Sequence, residues 1–83
     1  MPNYYPVFLN LNKVPCLVVG GGEVAYRKTE ALLPCGAEVT VISPELYPSL
    51  QQLQETKQVT WICKTYQAGD CQGFQMVISA TDQ

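Results

Sequence analysis

The chain has 83 residues, 47% hydrophobic and 14% charged, with a formal net charge of −2 and no histidine. That is enough for one small globular domain, residues 1–83, and it excludes the basic stripe of a dedicated nucleic-acid binder. No run of apolar residues is long enough to span a membrane, and Met1 to Pro6 has neither the basic nor the apolar region of a secretory signal, so the cytoplasm is the expected address.

In chain order, Val7, Leu9 and Leu11 alternate with Phe8 and Asn10, which suggests a short extended arm, and Asn12-Lys13 with Pro15 makes a turn. Cys16 to Val19 is continuously apolar, as a central parallel strand covered on both faces requires. After three glycines, a helix is expected from Glu23 to Cys35. Val24, Ala31 and Cys35 recur at helical spacing beside Ala25 and Leu32, while Arg27, Lys28 and Glu30 point elsewhere. Gly36 suits a left-handed cap, and Pro34 should distort or shorten the last turn.

The β-branched segment Glu38 to Ile42 or Ser43 is the second strand, stopped by Pro44. A second helix is expected from Glu45 to Glu55, carrying Leu46, Leu50 and Leu53. Gln58 to Cys63 is a third strand, and Lys64 to Gly73 is a polar loop. Met76 to Ala80 reads as a last strand buried on both faces.

The four cysteines, Cys16, Cys35, Cys63 and Cys71, show no C-x-x-C spacing, so a zinc site is poorly supported and reduced thiols are expected. The glycines carry more information. Gly20, Gly22 and Ala25 follow an apolar strand in the pattern G-x-G-x-x-A, the turn that binds a dinucleotide. Gly20 allows the sharp turn, Gly22 lets a pyrophosphate approach the backbone, and Ala25 lets the helix pack close to the strand. The helix start would aim free N–H groups and the positive end of its dipole at the phosphates.

The alternation strand–helix–strand–helix–strand–loop–strand predicts an α/β, Rossmann-like parallel sheet of about four strands in the order 3-2-1-4. A dinucleotide would lie at the switch point between strands one and four. Strand four then has no helix to cover it and an open edge. The simplest account is the first half of a longer NAD(P)-binding domain; the other is a half-unit completed by self-association.

Three stretches together resemble a known family. They are Tyr5-Pro6-Val7-Phe8-Leu9-Asn10-Leu11, then Leu17 to Ala25 with Arg27-Lys28, and Gly36 to Val41 with Pro44-Glu45; Ser79-Ala80-Thr81-Asp82 closes the pattern. This looks like the N-terminal part of the sirohaem synthase family, the precorrin-2 dehydrogenases, some of which also act as sirohydrochlorin ferrochelatases. The resemblance implies an NAD-dependent oxidation of precorrin-2 to sirohydrochlorin. It also implies a tetrapyrrole substrate, ferrous iron in the full protein and a homodimer at full length. By the same resemblance, the backbone at Gly22, Glu23 and Val24 should meet the pyrophosphate. Ser43, Pro44 and Glu45 should border the adenosine ribose, and Ala80, Thr81 and Asp82 should line the nicotinamide side. The family's catalytic aspartate lies downstream of the A-T-D signature, so no catalytic residue is assigned and the 83-residue chain alone should be inactive.

The ordinary NAD rule asks for an acidic residue at the end of strand two. Ser43 stands there, with Glu45 beyond the proline. Among side chains, Glu23 is expected to favour the helix dipole as a capping residue, and Arg27 and Lys28 to form a solvated face. Trp61 should be core or groove wall, Asp70 a turn residue, and Thr81 the best candidate to face the cofactor. A non-catalytic NAD-sensing domain is the alternative reading, although it would want an acidic strand-two end and no Pro-Val-Phe-Leu lead-in. A methyltransferase-like nucleoside binder is a weaker third.

Overall fold

The computed structural model describes residues 10–80. The extended arm before Asn10 and the residues Thr81 and Asp82 lie outside the described residues. Four strands alternate with two helices: β1 Pro15–Val19, α1 Glu23–Leu32, β2 Glu38–Ser43, α2 Pro48–Glu55, β3 Val59–Cys63 and β4 Met76–Ser79. All pairings are parallel and the strand order is β3-β2-β1-β4, a Rossmann-like α/β sheet as expected. β1 is central: Cys16, Leu17 and Val18 are fully buried, which accounts for its unbroken apolar run.

The register aligns Cys16 with Val39 and Met76, and Val39 with Val59; one step on, Val18 aligns with Val41 and Ile78, and Val41 with Trp61. These residues share one face, and they form a single cluster with Ala25 and Leu32 of α1 and with Leu50 of α2. Both helices therefore cover the same face. The opposite face keeps Leu17 and Ile42 buried, but Ile62 and Val77 are 38% and 44% exposed. The expectation that β4 is buried on both faces is thus corrected, because neither helix reaches the side on which Val77 stands.

Several element boundaries and one helix face also differ from the sequence reading. Pro34 does shorten α1: the helix ends at Leu32 and passes into a single 3-10 turn, Leu33–Cys35, closed by Gly36 at φ +82°. The inward face of α1 is Ala25, Thr29 and Leu32, while Val24, Ala31 and Cys35 are exposed. The period was right and the phase was wrong, because a polar threonine occupies a core position and an apolar valine an outer one.

The second helix starts at Pro48 rather than Glu45. Proline is favoured at the first helical position, and it pushes the residue before it out of the helical region. Tyr47 accordingly sits at φ −55°, ψ 141°. Residues 44–47 are left as a turn rather than a helical one. β3 starts at Val59 rather than Gln58, and β4 ends at Ser79 rather than Ala80.

Candidate dinucleotide site at the ends of the strands

A cleft of about 590 Å³ opens over the carboxyl ends of β1 and β2 and the segment that follows β3. In open parallel sheets this is where ligands bind, and the volume falls in the range that holds a small molecule. Its floor is Val19 and Ile42, the ends of β1 and β2. One wall is the glycine turn, Gly20 to Gly22. The second is the turn from Ser43 to Pro48, and the third is Thr65 and Tyr66.

The glycine turn is built from backbone geometry. Gly20 adopts φ +123°, a left-handed conformation that glycine reaches without steric cost, and its amide donates to the Ile42 carbonyl at 3.0 Å. Gly22 is the N-cap of α1. The helical ladder begins with the Tyr26 amide donating to the Gly22 carbonyl, so the amides of Glu23, Val24 and Ala25 precede it without an intrahelical acceptor. Ala25 is fully buried, in line with its expected role in close packing.

The second glycine of the three, Gly21, has the tightest surroundings. A Cβ there would run into the Glu45 carbonyl oxygen and the Ser43 hydroxyl, and would stand 2.9 Å from the Ser43 Cβ. The Gly21 carbonyl accepts the Tyr47 amide at 2.6 Å. The glycine turn and the turn after β2 are therefore locked together. Nothing in the G-x-G-x-x-A pattern marks this position.

Ser43 is buried. Its hydroxyl donates to the Glu45 carbonyl at 2.6 Å and accepts the Trp61 indole N–H at 3.2 Å. The serine side chain thus shapes the turn. Glu45 is exposed, and among the described residues lining the cleft it alone carries a charge. Tyr47 lies 6.0 Å, centroid to centroid, from Tyr26.

Beyond β3, Asp70 organises the loop that carries Tyr66. It accepts the Gln67 amide at 2.7 Å and pairs with the Lys64 ammonium at 3.0 Å. These two partners, the Gln67 amide first, hold the Asp70 carboxyl below its ordinary value. This is the turn chemistry expected of Asp70. A hydrogen bond with Cys71, with some burial, raises the Tyr66 phenol.

Of the residues expected from sequence, the cleft brings together Gly20, Gly22, Ser43, Pro44 and Glu45. Glu23 and Val24 do not line it. Glu23 stands in the first turn of α1, where its carboxylate favours the helix dipole as expected; its side-chain partner is Arg27 at 3.2 Å, with both side chains exposed. Arg27 and Lys28 form the solvated face anticipated for them. Ala80 is buried beside β1, its amide donating to Val19 at 2.8 Å, and it does not face the cleft. Thr81 lies outside the described residues.

Besides the strand ends Val19 and Ile42, the sequence reading did not assign Gly21, Leu46, Tyr47, Pro48, Thr65 and Tyr66 to the site. Starting the second helix at Glu45 hid three of them, and Pro48 was the available signal. Thr65 and Tyr66 directly follow a strand's carboxyl end, the place a ligand-facing residue belongs.

Among the described residues, no three of Cys, Asp and Glu gather where they could hold a metal ion, and no helix is long and apolar enough to cross a membrane.

The family described as "Putative NAD(P)-binding" matches residues 7–83. The siroheme synthase of Actinobacillus pleuropneumoniae serotype 3 is 48% identical over 80 residues, which are 96% of this chain and 16% of that protein. The siroheme synthase of Photobacterium profundum is 43% identical over 81 residues, 98% of this chain and 17% of that protein. The chain thus spans about a sixth of the length of the curated relatives it matches. A solved structure of SirC, a precorrin-2 dehydrogenase, superposes with a TM-score of 0.90 at 29% identity, over 96% of this chain and 40% of that one.

Proposed function

The chain belongs to the NAD(P)-binding family, and from that premise we propose that it is the NAD-binding part of a precorrin-2 dehydrogenase. The observation that carries the reading is the cleft built on Gly20, Gly22 and the Ser43–Glu45 turn, with the N-terminus of α1 beside it. The residues fit a dinucleotide. The free amides that head α1 suit a pyrophosphate, and Gly20 supplies the left-handed backbone that the sharp turn after β1 requires. Pro44 and Glu45 border the adenosine ribose, and Tyr66 offers an aromatic wall on the far side. The nicotinamide end belongs near Val19, at the carboxyl end of β1.

Charge supports NAD over NADP. A 2′-phosphate wants an arginine or lysine at the end of β2, whereas the charged group there is the Glu45 carboxylate, which suits free ribose hydroxyls. Lys64, the neighbouring cation, is held by Asp70.

When bound, NAD supplies a hydride acceptor. The chain's own groups bind and orient it: amides for the pyrophosphate, a carboxylate for the ribose, apolar strand ends beneath. The similarity to siroheme synthases and to SirC supports a tetrapyrrole as the molecule oxidised, with precorrin-2 becoming sirohydrochlorin. The domain is read as residues 1–83.

Titrating the chain with NADH and NADPH tests the reading. NADH should bind more tightly, and Gly22→Asp should abolish binding by placing a carboxylate against the pyrophosphate. Equal weak binding by the parent chain and the variant would refute it.

A further inference from the structure

We propose that Trp61 is a positioning residue for the adenosine ribose, acting through Ser43; this rests on the NAD reading above. Trp61 stands on β3, opposite Val41 of β2, and is half-buried on the helix-covered face. It does not line the cleft. Its indole N–H is shared between the Ser43 carbonyl at 3.1 Å and the Ser43 hydroxyl at 3.2 Å.

The direction of these bonds matters. An indole N–H can only donate, so it occupies a lone pair of the serine oxygen and leaves the serine proton free. That proton goes to the Glu45 carbonyl at 2.6 Å. The same carbonyl occupies the space a Gly21 side chain would need. Two hydrogen bonds in series thus run from β3, through Ser43, to the turn that faces the glycines. Glu45 lies outside α2, which begins three residues later, so this chain anchors the turn at Glu45 itself, while the Tyr47 amide and the Gln51 side chain anchor it further on.

Simple core packing would need only the ring. The inference needs the N–H, and Trp61→Phe separates the two by keeping an aromatic ring and removing the donor.

The experiment measures dissociation constants for NADH and for ADP-ribose, which lacks the nicotinamide, in the parent chain, Trp61→Phe, Ser43→Ala and the double variant. Circular dichroism reports whether each is folded. Each single variant should weaken both ligands by about three- to tenfold, the value of one lost hydrogen bond. The double variant should bind no worse than the weaker single one, because both changes break the same chain. Trp61 is the chain's one tryptophan, so its indole proton gives a single resonance in the unsubstituted protein. Saturation with ADP-ribose should shift that resonance, whether or not the variants fold. Wild-type affinity in Trp61→Phe, additive losses in the double variant, or an unmoved indole resonance would each overturn the proposal. Absence of NADH binding by the parent chain would instead strike the NAD reading, and the proposal with it.

Discussion

The Tyr47 amide donates to the Gly21 carbonyl at 2.6 Å, joining the turn after β1 to the turn after β2. The link places the start of α2 against the glycine loop. The middle glycine itself has no room for a side chain. In Gly21→Ala the new methyl meets the Glu45 carbonyl and the Ser43 side chain, backbone and buried atoms that cannot simply swing away. We expect a loss of about 1–3 kcal/mol in stability, as for other overpacked sites. NADH binding should weaken as the two turns part. Thermal denaturation and NADH titration measure the two effects.

Glu45 sets the charge at the ribose. Replacing it with arginine should reverse the preference from NADH to NADPH, since a guanidinium can pair with a 2′-phosphate. Competition between the two cofactors checks this. An unchanged ratio in Glu45→Arg would place the ribose elsewhere.

Asp70 makes the Tyr66 loop sensitive to acid. Its carboxyl is held below the ordinary value of 3.8 by the Gln67 amide and then by Lys64. A carboxyl depressed in the folded chain contributes stability above its unfolded value, and that contribution is lost as pH falls through the folded value. Local amide exchange at Gln67 should therefore be slow near neutrality, relative to the intrinsic rate, and lose its protection below about pH 4. In Asp70→Asn that pH step should vanish.

Thr29 is fully buried in α1, and its hydroxyl has no hydrogen-bond partner among the described residues. An unpaired buried hydroxyl costs about 1–3 kcal/mol. Thr29→Val keeps the branched shape and removes the oxygen, so it should stabilise the chain by about 1 kcal/mol, with NADH affinity unchanged. Chemical denaturation gives the first value and a titration the second.

Much of this fold is legible before any coordinate is known. The apolar run at Cys16–Val19, the glycines after it and the β-branched Glu38–Ser43 define a parallel α/β unit, because strand burial and turn sterics act on residues close in sequence. Part of the candidate site, Gly20, Gly22 and the Ser43–Glu45 turn, was visible for the same reason. The inward face of α1 was less so, since hydropathy favoured Val24 over Thr29. Tyr66 was hidden too, because loop residues carry no period.

What the sequence by itself determined was the order of the elements and the chemistry of the first turn, both consequences of local backbone preference. Only the tertiary structure decided what Gly21 touches and which partner Ser43 takes. Trp61 lies 18 residues beyond Ser43, and the register of β3 against β2 brings them together. That register follows from packing one sheet face under two helices, a condition no local stretch of sequence contains.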